Sequence, residues 1–207
     1  MGYYKKVKYK PWLGAEYKYG ICGFTPNGIA IYGNEQVQGK KILILADSFD
    51  CIGEPTIDIT EKIVKCAIAE GITRFRSIYR ITKLFLDKRI QYIDFETSEI
   101  VWRHLAFYHY AQQGVKDAEL AFYEILEVHK PDLVIVLGDR LYNMLPESYG
   151  EYAAEVETEY GEVVEIWKYN ILNKRIYVMP MTTPVSPAFN LLFWKDIINR
   201  VFNLLFA

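Results

Sequence analysis

The side chains that could take part in chemistry lie in short polar segments that follow apolar runs of the sequence. Asp47, Ser48, Phe49 and Asp50 come directly after one such run. The other side chains that could take part in chemistry are His109, Tyr110, Thr183 and Ser186. Carboxylates accept hydrogen bonds, hydroxyl groups and imidazoles both donate and accept them, and aromatic rings stack on planar ligands. Whether these groups can act together depends on the elements that position them.

Four apolar runs predict the strands of one sheet, and helical patterns separate them. The runs Lys41–Ala46 and Asp132–Gly138 are continuous and rich in Leu, Ile and Val, which is typical of parallel strands buried on both faces. Two further runs, 105–111 and 175–181, complete the set. Because strands and helices alternate, we expect an α/β protein: a three-layer α/β/α sandwich around a mostly parallel four-stranded sheet.

The whole chain, 1–207, is predicted to form a single domain. Residues 1–40 are interpreted as an N-terminal, hairpin-like extension, because Thr25–Gly28 is a strong turn signal. The segment 147–165 contains seven glutamates and no Lys or Arg, and we interpret it as an acidic insertion. A further strand is predicted at 163–171. Helical patterns occupy the ranges 58–71, 74–88, 98–102, 117–129, 140–145 and 191–205.

Composition limits the class of protein and its partners. Lys and Arg number 24 against 26 Asp and Glu, and the pI is near 6.0, which excludes a strongly basic protein. DNA binding would need a local patch, such as the eight basic and three acidic residues within 60–90. Neither a signal peptide nor a long apolar run is evident, and the three cysteines form no C-x-x-C. We therefore expect a cytoplasmic protein with no membrane partner, no metal and no other cofactor.

Ligands of open parallel sheets bind outside the carboxyl ends of the strands. The loops predicted at that edge are 47–54, 108–113, 138–141 and 182–190. All eight chemically capable side chains fall within these loops, so the sequence predicts that they surround one site.

The segment Leu45–Ser48 resembles the Gly-Asp-Ser block of the SGNH esterase family, in which the serine is the nucleophile. Ser48 would need a histidine base, which that family supplies from an Asp-x-x-His near the C-terminus. The last histidine here is His129, Ala46 replaces the family's glycine, and no Gly-x-Asn block is present. A serine esterase that uses Ser48 is therefore the less favoured alternative.

A second resemblance covers the stretch from Lys40 to Phe189. The matching segments, in order, are 41–46 with Asp47–Asp50, Trp102–Tyr110, 122–126 with Lys130–Gly138, and 176–179 with Thr183–Ser186. Their order and spacing resemble the uracil-DNA glycosylase superfamily. The block Lys-Pro-Asp-Leu-Val-Ile-Val-Leu-Gly and the helix before it are the most specific part. The fold implied by the resemblance is the same sandwich.

The activity implied by the resemblance is recognition of a flipped-out or single nucleobase, with hydrolysis of its N-glycosidic bond in DNA base-excision repair. Asp47 or Asp50 would then position water, and Thr183 would be the hydrogen-bond donor that supports catalysis. The substrate-binding residues would be Phe49, as the stacking ring, with Ser48, His109, Tyr110 and Ser186. The implied partner is DNA, or a single nucleobase or nucleotide.

Two positions depart from the pattern of that superfamily. His109 stands where the family carries a base-reading asparagine, and an imidazole cannot copy the paired donor and acceptor of an amide. Thr183-Pro184-Val185 replaces the family's His-Pro-Ser, and Thr183 cannot carry the charge of an imidazole. The three cysteines cannot supply the four-cysteine iron–sulfur site of one branch. A non-catalytic nucleic-acid or nucleotide-binding module on the same fold is therefore the main alternative.

Overall fold

A computed structural model shows a mixed α/β fold built on a seven-stranded sheet. It describes residues 4–21, 38–47, 56–70, 75–86, 93–110, 118–147, 150–158 and 161–206. The strands are β1 (Trp12–Leu13), β2 (Ile42–Ala46), β3 (Leu105–His109), β4 (Leu133–Leu137), β5 (Gly150–Glu157), β6 (Val163–Ile171) and β7 (Lys174–Met181). The helices are α1 (Ile59–Glu70), α2 (Arg76–Phe85), α3 (Phe95–Arg103), α4 (Ala118–His129), α5 (Asp139–Asn143) and α6 (Leu191–Phe206), with a 3₁₀ turn at Tyr17–Tyr19.

The strand order is β1-β3-β2-β4-β7-β6-β5. β3, β2, β4 and β7 are parallel to one another, and they correspond to the four strands expected from the sequence. The sheet nevertheless has seven strands rather than four, because β1 adds antiparallel to β3 at one end and the β5–β6 hairpin extends β7 at the other. β1 is only two residues long, and the eight residues of β5 include three glutamates and a single branched aliphatic residue, Val156, so neither strand has the apolar signal of a central strand.

Successive residues of the central strands alternate between two apolar clusters, one on each face of the sheet. Ile42 and Ile44 of β2 lie in the cluster that also contains residues of α1, α2, α3 and α6. Leu43 and Leu45 lie in the cluster that contains residues of α4 and α5. Each fully buried Leu, Ile or Val side chain contributes about 1.5–3 kcal/mol. The continuous apolar runs of β2 and β4 therefore follow from burial on both faces.

The structure bears on two predicted surface features, the acidic insertion and the N-terminal extension. Part of the predicted acidic insertion, 147–165, forms the regular strand β5. The predicted turn at Thr25–Gly28 lies outside the described residues, and so does most of the predicted extension's second half. In the described part of residues 1–40, the chain crosses α4, where the backbone N–H groups of Lys5 and Lys6 donate to Glu124 at 2.6 and 2.7 Å. None of the helices in the described ranges is long and apolar enough to cross a membrane.

A buried hydrogen bond connects α2 to α3, and it yields a test of the fold. The indole N–H of Trp102 donates to Thr82 Oγ1 at 2.9 Å, and the Thr82 hydroxyl donates to the carbonyl of Ile78 at 2.8 Å. Thr82→Val keeps the shape of the side chain but leaves the buried indole N–H without an acceptor. We expect it to lower the free energy of unfolding by about 1–3 kcal/mol in urea titrations.

The matched control is Thr82→Ser, which keeps the hydroxyl and loses only a methyl group. It should retain the hydrogen bond and most of the stability of the wild type. Equal losses of stability in the two variants would show that the hydrogen bond between the helices contributes nothing.

Candidate functional site

The four parallel strands end together at one edge of the sheet, and the strand order defines a crevice there. After β2 the chain continues to β3, the neighbour of β2 on one side. After β4 it passes through the β5–β6 hairpin and returns as β7, the neighbour of β4 on the other side. In open parallel sheets, ligands bind where the strand order reverses in this way, because the connections diverge and leave a gap. The reversal point lies here between the carboxyl ends of β2 and β4, and we refer to it as the crevice.

An ion pair spans this crevice. Asp47 follows β2 directly, and Arg140 lies in α5, the short helix after β4; the guanidinium Nη2 donates to Oδ2 of Asp47. The Asp47 side chain is 23% exposed, whereas that of Arg140 is 78% exposed. The carboxylate is thus partly enclosed, and most of the five N–H donors of the guanidinium remain accessible to a ligand.

A close approach at Gly138 brings a third element to the crevice. Gly138 has φ +105°, and a Cβ at this position would lie 2.9 Å from Thr183 Oγ1. Its N–H donates to the carbonyl of Met181 at 2.7 Å. Because glycine has no side chain, the turn that carries Arg140 packs directly on the segment after β7. Thr183 therefore lies beside the turn between β4 and α5.

Arg80 of α2 anchors the loop that follows β7. Its guanidinium donates to the carbonyl of Pro184, and to that of Ser186 at 3.4 Å. The same group lies over the ring of Phe189, with 5.6 Å between the guanidinium carbon and the ring centroid. The Ser186 hydroxyl oxygen accepts from the N–H of Ala188 at 3.2 Å. Ser186 thus helps to shape the loop, and Arg80 holds that loop against α2.

His109 and Tyr110 are both buried, on opposite faces of the sheet. His109 Nδ1 lies 3.3 Å from the hydroxyl of Thr60 in α1, and its ring packs edge-on against Phe107 with 4.8 Å between centroids. Burial lowers the pKa of His109 to about 3, so the imidazole is neutral at pH 7. Tyr110 packs edge-on against Phe122 of α4 with 5.7 Å between centroids. Period-two alternation along β3 separates the two side chains.

The structure brings together some of the sequence-predicted site residues and separates others. Asp47 and Thr183 lie at the turns that surround the crevice, and Ser186 lies further along the loop held by Arg80. His109 and Tyr110 are buried beneath α1 and α4. The predicted residues Ser48, Phe49 and Asp50 lie outside the described residues.

Sequence reasoning did not single out two arginines that shape this edge. Arg140 stands in a loop that was expected at the carboxyl edge, and a basic residue directly after Gly-Asp at a strand end was the available signal. Arg80 gave no separate signal, because it is one of eight basic residues between 60 and 90 and its partners are main-chain carbonyls distant in sequence.

The three histidines of the chain all lie in described ranges, and two of them are at the amino edge of the sheet. His129 ends α4, contacts the hydroxyl of Tyr4, and offers its carbonyl to Lys41 at 3.0 Å. His104 precedes β3 and lies 2.8 Å from the carbonyl of Gly20. Of the three, only His109 shares an edge with the strand that leads to Ser48, and its Nδ1 already contacts Thr60.

Within the described residues, no group of three or more His, Cys, Asp or Glu side chains could hold a metal ion. Comparison of the chain with known protein families, curated proteins and solved structures finds no match. Its function must therefore be argued from the crevice itself.

The contact at Gly138 can be tested by a pair of substitutions. We expect Gly138→Ala to lower the free energy of unfolding by at least about 1–2 kcal/mol, because alanine resists a positive φ and its Cβ meets Thr183. In a Thr183→Ala background the same substitution should cost less, since Oγ1 is gone. Thermal or urea unfolding of all four proteins measures the difference. An equal cost in both backgrounds would contradict the contact.

The burial of His109 predicts a pH dependence of stability. Its pKa is about 3 in the folded protein, against about 6.5 in an unfolded chain. Between these values the unfolded chain binds a proton that the folded chain does not, so stability is lost as pH falls through this window. His129 adds to the effect, because burial, with a smaller contribution from Lys41, lowers its pKa to about 4.

His109→Gln should therefore flatten the plot of unfolding free energy against pH by up to about 1.4 kcal/mol per pH unit. Urea titrations between pH 4 and 7 give that slope independently of any constant loss of stability caused by the substitution. His129→Gln should reduce the slope as well, mainly in the upper part of the window. An unchanged slope in His109→Gln would show that this imidazole is protonated in the folded protein.

Proposed function

We propose that the crevice between β2 and β4 binds a nucleobase-bearing ligand, and that Asp47 positions water there for hydrolysis of the N-glycosidic bond. The observation that carries this proposal is the ion pair of Asp47 and Arg140, which joins the ends of the two strands at the reversal point. The proposal includes the three-layer sandwich typical of uracil-DNA glycosylase-like proteins, with helices on both faces of the sheet, and a cytoplasmic location.

The chemistry requires a carboxylate that is fixed in place but still reaches a ligand. A water held by Asp47 would add to the anomeric carbon of the sugar, the bond to the base nitrogen would break, and the base would leave with the bonding electrons. Arg140 and the Thr183 hydroxyl are the donors beside the crevice that could stabilise negative charge on the departing base. The pairing with Arg140 holds the Asp47 carboxylate at the mouth of the crevice.

The charges near the site support a small ligand rather than a long stretch of duplex. Two lysines of α1 from the basic patch of the sequence form ion pairs with carboxylates four residues earlier in the chain: Lys62 with Asp58 at 3.0 Å, and Lys65 with Glu61 at 2.6 Å. Arg80 is occupied by the loop after β7. These engagements leave fewer cations for phosphate contacts. A nucleoside, a nucleotide or a short single strand therefore fits the site better than duplex DNA.

The placement of His109 favours a second candidate, a binding module without catalysis. The imidazole that was expected to contact the base is only 3% exposed and bonds to Thr60. The crevice would then recognise its ligand through Arg140, Asp47 and main-chain groups, and no side chain from the end of β3 would read the base. Binding without hydrolysis is the outcome that separates this candidate from the first.

The test compares base release and binding in matched variants. The substrates are uracil-containing single-stranded oligonucleotides and free nucleosides and nucleotides, and the assays are chromatographic release of the base and calorimetric binding. We expect Asp47→Asn to lower the rate of base release by about 100-fold or more, since an amide cannot accept the proton. Arg140→Gln should weaken binding as well.

The controls are Asp196→Asn and Arg200→Gln, which break an exposed Asp–Arg pair of the same kind on α6. Both control variants should behave as the wild type. Binding without base release would establish the non-catalytic module. No binding of any of these ligands, or equal effects of the α6 variants, would refute a nucleobase site at the crevice.

A further inference from the structure

β5 is the terminal strand of the sheet and lies at the opposite end from β1. Three strand spacings separate it from β4, so it is about 14 Å from the crevice. In the described ranges, no strand pairs with its outer edge. Every second N–H and C=O along such an edge points outward, and a further extended segment can add there by main-chain hydrogen bonds.

One face of the β5–β6 hairpin is covered and the other is open. Val156, Val164 and Ile166 lie in the apolar cluster shared with α6. The register places six other side chains together on the opposite face: Tyr152, Glu155, Glu157, Val163, Glu165 and Trp167. Tyr152 and Val163 are about half exposed, at 55% and 51%, and the three glutamates are exposed. α5 reaches this face through Tyr142, whose hydroxyl donates to the carbonyl of Glu165 at 3.0 Å and whose ring packs edge-on against Trp167 with 6.5 Å between centroids.

The charges on the open face are arranged at a cost to stability. Glu155 stands directly opposite Glu165, and like charges at paired positions of antiparallel strands destabilise the pair. Within the described part of the chain, none of the three carboxylates forms an ion pair with Lys or Arg, although Arg200 donates to the main-chain carbonyl of Glu157 at 3.3 Å. Glu151 differs, because it pairs with Lys168 at 3.4 Å and accepts from Asn170 at 2.7 Å.

The phenol of Tyr152 shares this face with the two opposed carboxylates. Its pKa is raised by partial desolvation, by the charge of Glu155 and a hydrogen bond to it, and by the charge of Glu165. A cation placed beside these groups would relieve the repulsion between the carboxylates, and it could also lie over the aromatic ring. The face is therefore complementary to positive charge presented at strand spacing.

We propose that the outer edge of β5 binds an extended segment of another protein in which Lys or Arg occupies every second position. Addition of such a strand, about 4.8 Å from β5, would place alternate side chains on the open face beside Tyr152, Glu155 and Glu157. The main chain of the partner supplies the hydrogen bonds, and the alternating cations supply the specificity. The inference is independent of the ligand bound at the crevice.

The same charges disfavour a second copy of this chain as the occupant. Pairing of β5 with β5 would bring glutamates close to glutamates across the new ladder. The chain's own residues 6–10 carry Lys at alternate positions, but Val7 and Tyr9 within them are buried and Glu124 holds their backbone. That segment is already used in the fold, so the partner is a different protein.

The experiment measures binding of two synthetic peptides of identical composition to the full chain. In one, lysine and threonine alternate; in the other, all lysines precede all threonines. We expect the alternating peptide to bind roughly tenfold more tightly, because only its cations match the strand spacing. A third peptide, alternating but N-methylated at every second amide, should lose this advantage, since it keeps its charge but cannot complete the ladder.

The variant Glu155→Gln/Glu165→Gln should weaken binding of the alternating peptide roughly threefold to tenfold. Glu151→Gln is the matched control, because it removes a glutamate of the same strand that is already paired, and it should leave binding unchanged. Equal binding of all three peptides would overturn the proposal, since it would show attraction by charge alone. The absence of binding would also overturn the proposal. The glutamates would then serve only to protect the edge from self-association. A dimer of the free chain that is abolished by Tyr152→Pro would assign the edge to a second copy instead.

Discussion

The carboxylate of Asp132 fixes the relative positions of the three central strands, and the rest of the architecture depends on it. Its Oδ2 accepts from the N–H of Lys41 at 2.7 Å, at the start of β2, and its Oδ1 contacts Nζ of Lys174 at 2.8 Å, at the start of β7. The backbone of Asp132 pairs with both neighbouring strands as well. One residue thus connects the amino ends of β2, β4 and β7 in their observed register, and strands in register end level at the carboxyl edge.

The level carboxyl ends explain how residues 93 positions apart in the sequence meet. Asp47 and Arg140 each follow a strand whose start is tied to Asp132, so their side chains are delivered to the same crevice. A slip of one residue would turn Leu45 and Val136 to the wrong faces, and the cost of exposing or overpacking such side chains excludes it. The ion pair is thus a consequence of the register rather than its cause.

The distribution of charge differs between the two ends of the sheet in a way that suits two different tasks. Around the crevice, cations and carboxylates are paired with each other or with main-chain carbonyls, as Arg140 is with Asp47 and Arg80 is with the loop after β7. At β5, Glu155 and Glu165 face each other, and no Lys or Arg of the described residues forms an ion pair with their carboxylates. Charges that are paired with opposite charges give a site fixed geometry. Like charges that face each other leave a surface suited to an external partner of opposite charge.

The sequence by itself determined the parallel core, because burial on both faces demands continuous apolar runs such as 42–46 and 133–137, and those runs are visible without coordinates. It also indicated that Asp47 and Thr183 follow strands. Only the tertiary structure decided which side of each strand a residue occupies and what it touches there. His109 lies beneath α1 and Tyr110 lies beneath α4, because neighbouring residues of a strand point to opposite faces of the sheet. The tertiary structure joined β5 to the sheet although its residues lack an apolar pattern, because main-chain pairing with β6 does not depend on side-chain type. The pairing of Arg140 with Asp47 likewise depends on the tertiary structure, because it follows from the strand order, which no local pattern in the sequence encodes.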